Sequence, residues 1–232
     1  MNRNGNTYTV LYAAIMVILV AAILASVSMA LKPQQVRNKE IEKKQSILAS
    51  VNIASTAENA DEIYSEKIVN QYVINTKGDE LEGNAFTIDL KKEHAKSDAE
   101  MHLPVFECKT DDGLKYVLPV RGTGLWGPIW GYISLNEDMN TIYGANFDHE
   151  GETPGLGAEI STEPFEKQFL GKKIFDDNGS LYSIIVAKVG QEAPAEHKVD
   201  GISGGTITSK GLEKMLLDDF TRYEEFLKKK KS

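Results

Sequence analysis

The feature that most limits what this chain can be is a run of 24 residues, Tyr8 to Leu31, with no charged side chain and rich in Val, Ile, Leu, Ala and Met. As a helix it would reach about 36 Å at about 1.5 Å per residue, enough to cross a hydrocarbon layer of about 30 Å. A signal peptide has a shorter apolar segment, roughly 7–15 residues, followed by a small-residue cleavage site. Ser28-Met29-Ala30 loosely resembles such a site, but the apolar run before it is too long. The reading is therefore an uncleaved anchor that spans a lipid bilayer through residues 8–31. Pro33 marks its exit, because proline breaks the helical hydrogen-bond ladder. The far flank holds Lys32, Arg37, Lys39, Lys43 and Lys44, against Arg3 and the amino group in the tail 1–7. Counted naively, the positive-inside rule puts the large domain in the cytoplasm. Long domains translocate largely regardless of charge, so the residues alone leave orientation open.

Beyond the anchor the hydrophobic period changes twice. Gln34 to Val51 reads as a polar helix, with Val36, Ile41, Ile47 and Leu48 loosely on one side. Asp61 to Ile74 reads as a second helical stretch through Ile63, Ile68 and Tyr72, and Lys77 to Gly83 as a turn. From Leu103 onward short β-branched and aromatic runs predict strands at 103–109, 115–120, 129–135, 142–148 and 181–189. Asp111-Asp112-Gly113 and Asp177-Asn178-Gly179 supply hairpin turns. Ser161-Thr162-Glu163-Pro164 starts a helix, with a hydroxyl cap, an acid in the first turn and an early proline. Leu212, Met215, Leu216, Phe220, Tyr223 and Leu227 share one face of a last helix, from about Ser209 to Lys230. The fold class is α+β: one N-terminal transmembrane helix, then a soluble domain on an antiparallel or mixed sheet with flanking helices. The expected parts are tail 1–7, anchor 8–31, helical juxtamembrane region 32–75 and folded domain 76–232.

Charge and side-chain chemistry exclude several classes. A net charge of −8 argues against nucleic acid as a partner, since phosphate contacts need clustered Lys and Arg. Lys228 to Lys231 instead complement the negative end of the last helix. Cys108 is the one cysteine, so there is no internal disulfide and no cysteine set for an iron–sulfur cluster or structural zinc. His94, His102, His149 and His197 are not at metal-ligand spacing, and no metal site is expected.

Three glycine-rich segments carry the chemistry. Asp200-Gly201-Ile202-Ser203-Gly204-Gly205-Thr206-Ile207-Thr208-Ser209 joins a polar loop to the last helix. Its glycines let a bulky group approach the backbone, and the N–H groups of a helix start favour an anion. A bound phosphate, or a phosphodiester on a hydroxyl, fits such a site; so does a plain glycine-rich helix cap. The order Gly-Lys-Ser/Thr of a P-loop is absent. Gly151-Glu152-Thr153-Pro154-Gly155-Leu156-Gly157-Ala158 forms a tight bend whose exposed amides could bond the polar edge of a flat ring, or a simple connection between elements. In Gly122-Thr123-Gly124-Leu125-Trp126-Gly127-Pro128-Ile129-Trp130, Trp126 could stack on a ring, while Trp130 reads better as packing.

These three segments, in this order behind one N-terminal anchor, resemble the NqrC family, the flavin-bearing subunits of the sodium-translocating NADH:quinone oxidoreductase. The resemblance runs through the whole chain and is densest from Gly122 to Gly211. Ser203-Gly204-Gly205-Thr206, preceded by Asp200, is similar to the attachment motif of FMN-binding domains, in which a threonine hydroxyl is joined to the FMN phosphate. The resemblance implies covalent FMN on Thr206, not on Thr208. Ala is usual in the family where this chain has Gly205, which bears on loop rigidity more than on attachment. It also implies cofactor contacts at Glu152, Thr153, Gly155, Leu156 and Gly157, and at Leu125 and Trp126. The related flavin protein of the ferredoxin:NAD oxidoreductase complex shares the Glu-Thr-Pro-Gly-Leu-Gly loop; the Gly-Leu-Trp segment favours the sodium pump.

The function so implied is electron transfer within a membrane complex that couples NADH oxidation and quinone reduction to Na⁺ export. The chain is not catalytic alone; its Gly-x-Gly-x-x-Gly spacing at Gly122 to Gly127 lies between two expected strands and opens no helix, so it is not a dinucleotide-binding unit for NADH. The implied partners are the complex's other subunits and a flavin transferase. The implied place is the bacterial inner membrane, with the flavin domain periplasmic, against the naive charge count. A cofactor-free, membrane-anchored assembly module would also explain the anchor and the domain. It would not explain why the three glycine-rich segments occur together.

Overall fold

The computed structural model describes residues 5–231, so Arg3 and the start of the tail lie outside the described residues. Contacts divide the chain into two compact units, Met1–Lys43 and Lys44–Ser232.

The first unit is helical, its described residues belonging almost wholly to helix α1 (Asn6–Ser50). Its apolar part has a mean hydropathy of 2.8 over 18 residues, long and apolar enough to cross a membrane. Pro33 lies inside this helix rather than ending it. Proline removes one N–H and leaves the carbonyl four residues earlier, on Met29, without its usual partner. Met29 is solvent-facing in the isolated chain, so that loss is local, and good helix formers on both sides carry the ladder through. The proline therefore does not end the helix.

In the second unit α1 ends on Asn52, whose φ of 60° is left-handed. Ile53 N–H donates to Leu48 O at 3.0 Å and Asn52 N–H to Ala49 O at 2.9 Å. This is the double-bonded helix stop that usually takes glycine; asparagine tolerates the same backbone. Helix α2 (Ala60–Lys67) follows, then strand β1 (Ile68–Ile74) and the two-residue β2 (Glu80–Leu81). The stretch expected as one helix from Asp61 to Ile74 is thus half helix and half strand. Ile63, Ile68 and Tyr72 fit a helical period, but β1 pairs with the later strand β3 (Leu103–Thr110), Ile74 opposite Leu103. Cross-strand pairing and burial override a weak local preference. The short helix α3 (Leu90–Glu93) lies between β2 and β3. Because β1 belongs to the sheet, the folded unit begins well before the expected boundary at residue 76.

Strands β4 (Gly113–Thr123), β5 (Pro128–Leu135) and β6 (Ile142–His149) follow as expected. The six-stranded sheet has the order β2-β1-β3-β4-β5-β6, antiparallel throughout. After β6 come the one-turn helix α4 (Glu163–Glu166), strands β7 (Ile185–Ala187) and β8 (Lys198–Asp200), and helix α5 (Thr206–Lys231). The strand expected over 181–189 shrinks to β7, which pairs in parallel with β8 outside the main sheet. Ser183, buried with φ 66°, breaks the extended run just before it. Thr162 caps α4 in position, but its hydroxyl donates to Glu159 O and accepts no helix N–H.

Alternation along the strands gives the sheet two buried faces. Leu118, Val120, Ile129, Ile133 and Phe147 pack under Leu212, Met215, Leu216, Phe220 and Tyr223 of α5. Phe106, Val117 and Tyr132 pack with Ile47, Leu48 and Val51 at the end of α1. The β3–β4 ladder stops short of Pro104 and Pro119, which have no N–H to give. Tyr223 hydroxyl donates to Pro104 O at 2.9 Å in the gap. Beyond it, Arg121 N–H donates to the buried Asp219 carboxylate at 2.7 Å, and Asp219 also accepts from Arg222 at 2.6 Å. The far half of β4 is therefore held by α5 instead of by β3. Gly122 leaves room for Met215, and Gly211 brings α5 against the Thr123 carbonyl. This close approach sets the first turns of α5 beside the turn that follows β4.

Candidate functional site

Helix α5 starts at Thr206, three residues earlier than the apolar pattern predicts. Ser209 N–H donates to Gly205 O at 2.9 Å, which makes Gly205 the cap and Thr206, Ile207 and Thr208 the first three helical residues. Their N–H groups have no partner within the helix and point out of its positive end. Each helical residue turns about 100°, so hydroxyls two apart face roughly opposite ways. Thr206 is exposed, whereas Thr208 is buried.

The Thr208 hydroxyl donates to Glu152 Oε2 at 2.6 Å. Glu152 is itself buried, and its other oxygen, Oε1, accepts the Trp126 backbone N–H at 2.8 Å. One carboxylate thus joins the three glycine-rich segments. Its backbone N–H reaches His149 Nδ1 at 3.3 Å, tying the loop to the end of β6. A side chain at Gly124 would put Cβ 2.5 Å from Glu152 Oε1, and one at Gly157 would overlap Oε2 and lie 2.5 Å from Thr208 Oγ1. Glycine at these two positions makes room for the carboxylate.

The loop after Glu152 is closed by its own backbone. Leu156 and Ala158 N–H groups both donate to Thr153 O, and Gly155, at φ 75°, donates to Glu159 Oε1 at 3.0 Å. Leu156 lies over Gly204, also at φ 75°, where a Cβ would come within 2.6 Å of Leu156 Cδ2. Ile202 N–H donates to Ser209 Oγ at 3.1 Å. The three joined segments also leave four large apolar side chains in water: Trp126 at 68% exposure, Ile207 at 59%, Leu125 at 47% and Leu156 at 41%. Such surface marks a ligand or a partner.

Most residues expected at the site therefore come together, with two qualifications. The Asp200 carboxylate faces solvent at the end of β8, 3.6 Å from Lys198 Nζ, while its backbone is held by Gln168. Glu152, expected to touch a ligand, has both oxygens engaged inside the protein. Sequence reasoning names Thr208, Gly124, His149 and Ser209 but gives none of them a place in holding the site together. The Thr-x-Thr spacing is the available signal, since two hydroxyls on opposite helix faces cannot both be outward. Trp130, expected in the core, is only half-buried; the Arg121 guanidinium stands 5.9 Å from its ring centre, in an open groove that also includes Lys91 and Thr123.

The donor set fits a flavin mononucleotide. An exposed hydroxyl at a helix start offers an attachment point, the first-turn amides suit a phosphate, and the apolar side chains suit a flat ring.

Comparison with known proteins agrees with this geometry. Residues 124–218 match the family described as the FMN-binding domain. Over 93% of its length the chain is 32% identical to the NqrC protein of the Na(+)-translocating NADH-quinone reductase of Pseudomonas aeruginosa, covering 91% of that protein. The counterpart from Haemophilus ducreyi is likewise 32% identical over 91% of this chain and 88% of its own. The crystal structure of the Parabacteroides distasonis counterpart superposes with a TM-score of 0.80 at 45% identity, over 85% of this chain and 96% of that one. The crystal structure of NqrC from Shewanella oneidensis gives 0.69 at 26% identity, over 84% and 99%.

Proposed function

Because the chain belongs to the NqrC family of Na(+)-translocating NADH-quinone reductase subunits, we propose that it carries FMN covalently on Thr206, through the phosphate, and relays electrons inside that complex. The observation that carries this reading is the opposite fate of two neighbouring hydroxyls. Thr206 is open to solvent on the first residue of α5, while Thr208 is buried and spent on Glu152. Only the first can be reached by a transferase and joined to a bulky group.

FMN when bound supplies the reversible uptake and release of electrons; the protein supplies position and field. The first-turn amides and helix dipole of α5 offset the charge of the phosphate on Thr206. Gly204 and Gly205 keep the backbone low beside it. Ser203, exposed in the same turn, is a neighbouring hydroxyl for the phosphate. Trp126, Leu125 and Leu156 offer the ring an apolar face, and the loop from Thr153 to Gly157, closed by its own hydrogen bonds, holds Leu156 in place there. A tether at one end leaves the ring mobile, so a second contact region is needed to fix its distance to the next redox centre.

The rest of the cycle belongs to the assembled complex: NADH is oxidised elsewhere, quinone is reduced, and Na⁺ is exported. Residues 8–31 anchor the chain in the inner membrane and the flavin domain faces the periplasm. A flavin transferase installs the cofactor, and neighbouring subunits receive the electrons.

The test is to co-express the full chain with a flavin transferase and record intact mass and in-gel flavin fluorescence. Thr206→Ala is expected to lose both signals while the domain still melts cooperatively. Covalent flavin retained in that variant would overturn the assignment.

A further inference from the structure

We propose that Glu152 and Thr208 form a buried clasp that couples the start of α5 to the Trp126 turn, and that Glu152 positions the flavin site without touching the cofactor. The inference rests on the reading above that Thr206 carries the flavin. Its basis is the contact geometry of one carboxylate. Glu152 is 4% exposed, and its two oxygens serve two different segments, Thr208 hydroxyl at 2.6 Å and Trp126 N–H at 2.8 Å. A carboxylate shut away from water is tolerable only when hydrogen bonds replace its hydration. One comes from the buried Thr208 and the other from the backbone of Trp126, so neither bond uses a group that faces the flavin.

The surroundings are shaped to admit nothing else. Gly124 bounds Oε1 and Gly157 bounds Oε2, so the carboxylate is walled by backbone on both sides. The anion also lies at the positive end of α5, because its partner Thr208 is the third helical residue, where a negative group is favoured. The clasp therefore explains the second threonine, two residues past the attachment point, which the attachment chemistry does not need. It also gives distinct jobs to the glutamate and glycines that the resemblance grouped together as cofactor contacts. If the start of α5 shifts, Glu152 shifts with it, and the Trp126 amide loses its acceptor.

The discriminating experiment measures amide hydrogen exchange at Trp126 in the full chain prepared without flavin. Thr208→Val removes a hydroxyl that makes no bond to Trp126, yet is expected to speed exchange there by roughly tenfold, the scale of losing one hydrogen bond to a charged group. Thr208→Ser should restore slow exchange. In the flavinylated chain, Thr208→Val should keep the covalent mass but lower the anisotropy of flavin fluorescence and shift the midpoint potential. An E152Q/T208V double variant should be no worse than E152Q alone, because both act through one contact. Unchanged Trp126 exchange in Thr208→Val would overturn the clasp. Additive losses of anisotropy in the double variant would overturn it too, by giving Glu152 a contact of its own with the ring. A chain that never gains flavin would remove the attachment reading while leaving the Trp126 exchange result intact. The Val/Ser pair at 208 carries the test if E152Q does not fold.

Discussion

Replacing Glu166 by glutamine should make the protein more stable above pH 7 and leave it unchanged near pH 4. Glu166 sits on α4 with Oε1 accepting Phe147 N–H at 2.7 Å and Asn146 Nδ2 at 3.3 Å, on the edge strand β6. Phe147, which gives that N–H, packs its ring at tilted and edge-on angles against Phe165 and Phe169. Burial pushes its carboxyl up from 4.5 to about 7, helped by the charges of Asp148 and Glu163 and opposed by the Phe147 N–H. In the unfolded chain the group ionises near 4.5, so between there and about 7 the native state holds the extra proton, and folding loses stability as pH rises across that window. The gap would convert to roughly 3 kcal/mol at about 1.4 kcal/mol per pH unit, if unscreened. The side chain is only half-buried, and water reduces the figure to about 1–2 kcal/mol. Gln keeps an oxygen for the Phe147 N–H and cannot ionise. Urea melts of the full chain in detergent, at pH 4, 6 and 8, should show the E166Q advantage opening between pH 4 and 8. An advantage independent of pH, or a wild type that is the more stable at pH 8, would refute the reasoning.

Other substitutions test the frame that holds the site. Phe220→Ala, in the fully buried face of α5, should cost about 3–5 kcal/mol in denaturant melts. Asn52→Ala should cost about 1–2 kcal/mol, since it keeps the left-handed φ of 60° and loses the side-chain bond to Tyr143 O, whereas Asn52→Gly should be the milder change. Trp126→Ala should change stability by less than about 0.5 kcal/mol, its side chain being exposed, but should alter the visible spectrum and lower the anisotropy of bound flavin; unchanged anisotropy would place the ring elsewhere.

The parts legible in the sequence are those specified by neighbours along the chain. From Leu103 to His149 each strand carries its own period and its own turn, and the structure follows them within two or three residues. The apolar helix is legible from the length of the uncharged run alone. The illegible parts depend on distant partners. Ile68 to Ile74 has a helical spacing that survives only until β3 is available to pair with it. Val186 and Val199 form a parallel bridge across an intervening loop, which no local pattern announces. Pro33 is a breaker by rule, yet a 45-residue helix runs through it with one bond missing.

The site shows the same division at finer grain. Its glycines look alike in sequence, and the structure separates them into two physical kinds. Gly155 and Gly204 are needed for backbone sign, each at φ 75°. Gly124 and Gly157 are needed for clearance around the Glu152 carboxylate, which the sequence places 28 and five residues away from them. Gly205 is of neither kind: its φ is not left-handed, and a Cβ there would meet the movable Ile202 side chain at 2.9 Å and Leu156 C at 3.3 Å. That is why alanine, usual in the family motif this segment resembles, can stand at this position with a small shift of Ile202, while the other four cannot change so cheaply. The pattern of glycines thus encodes a single buried carboxylate and two left-handed turns, and the exposed hydroxyl of Thr206 is what that framework presents.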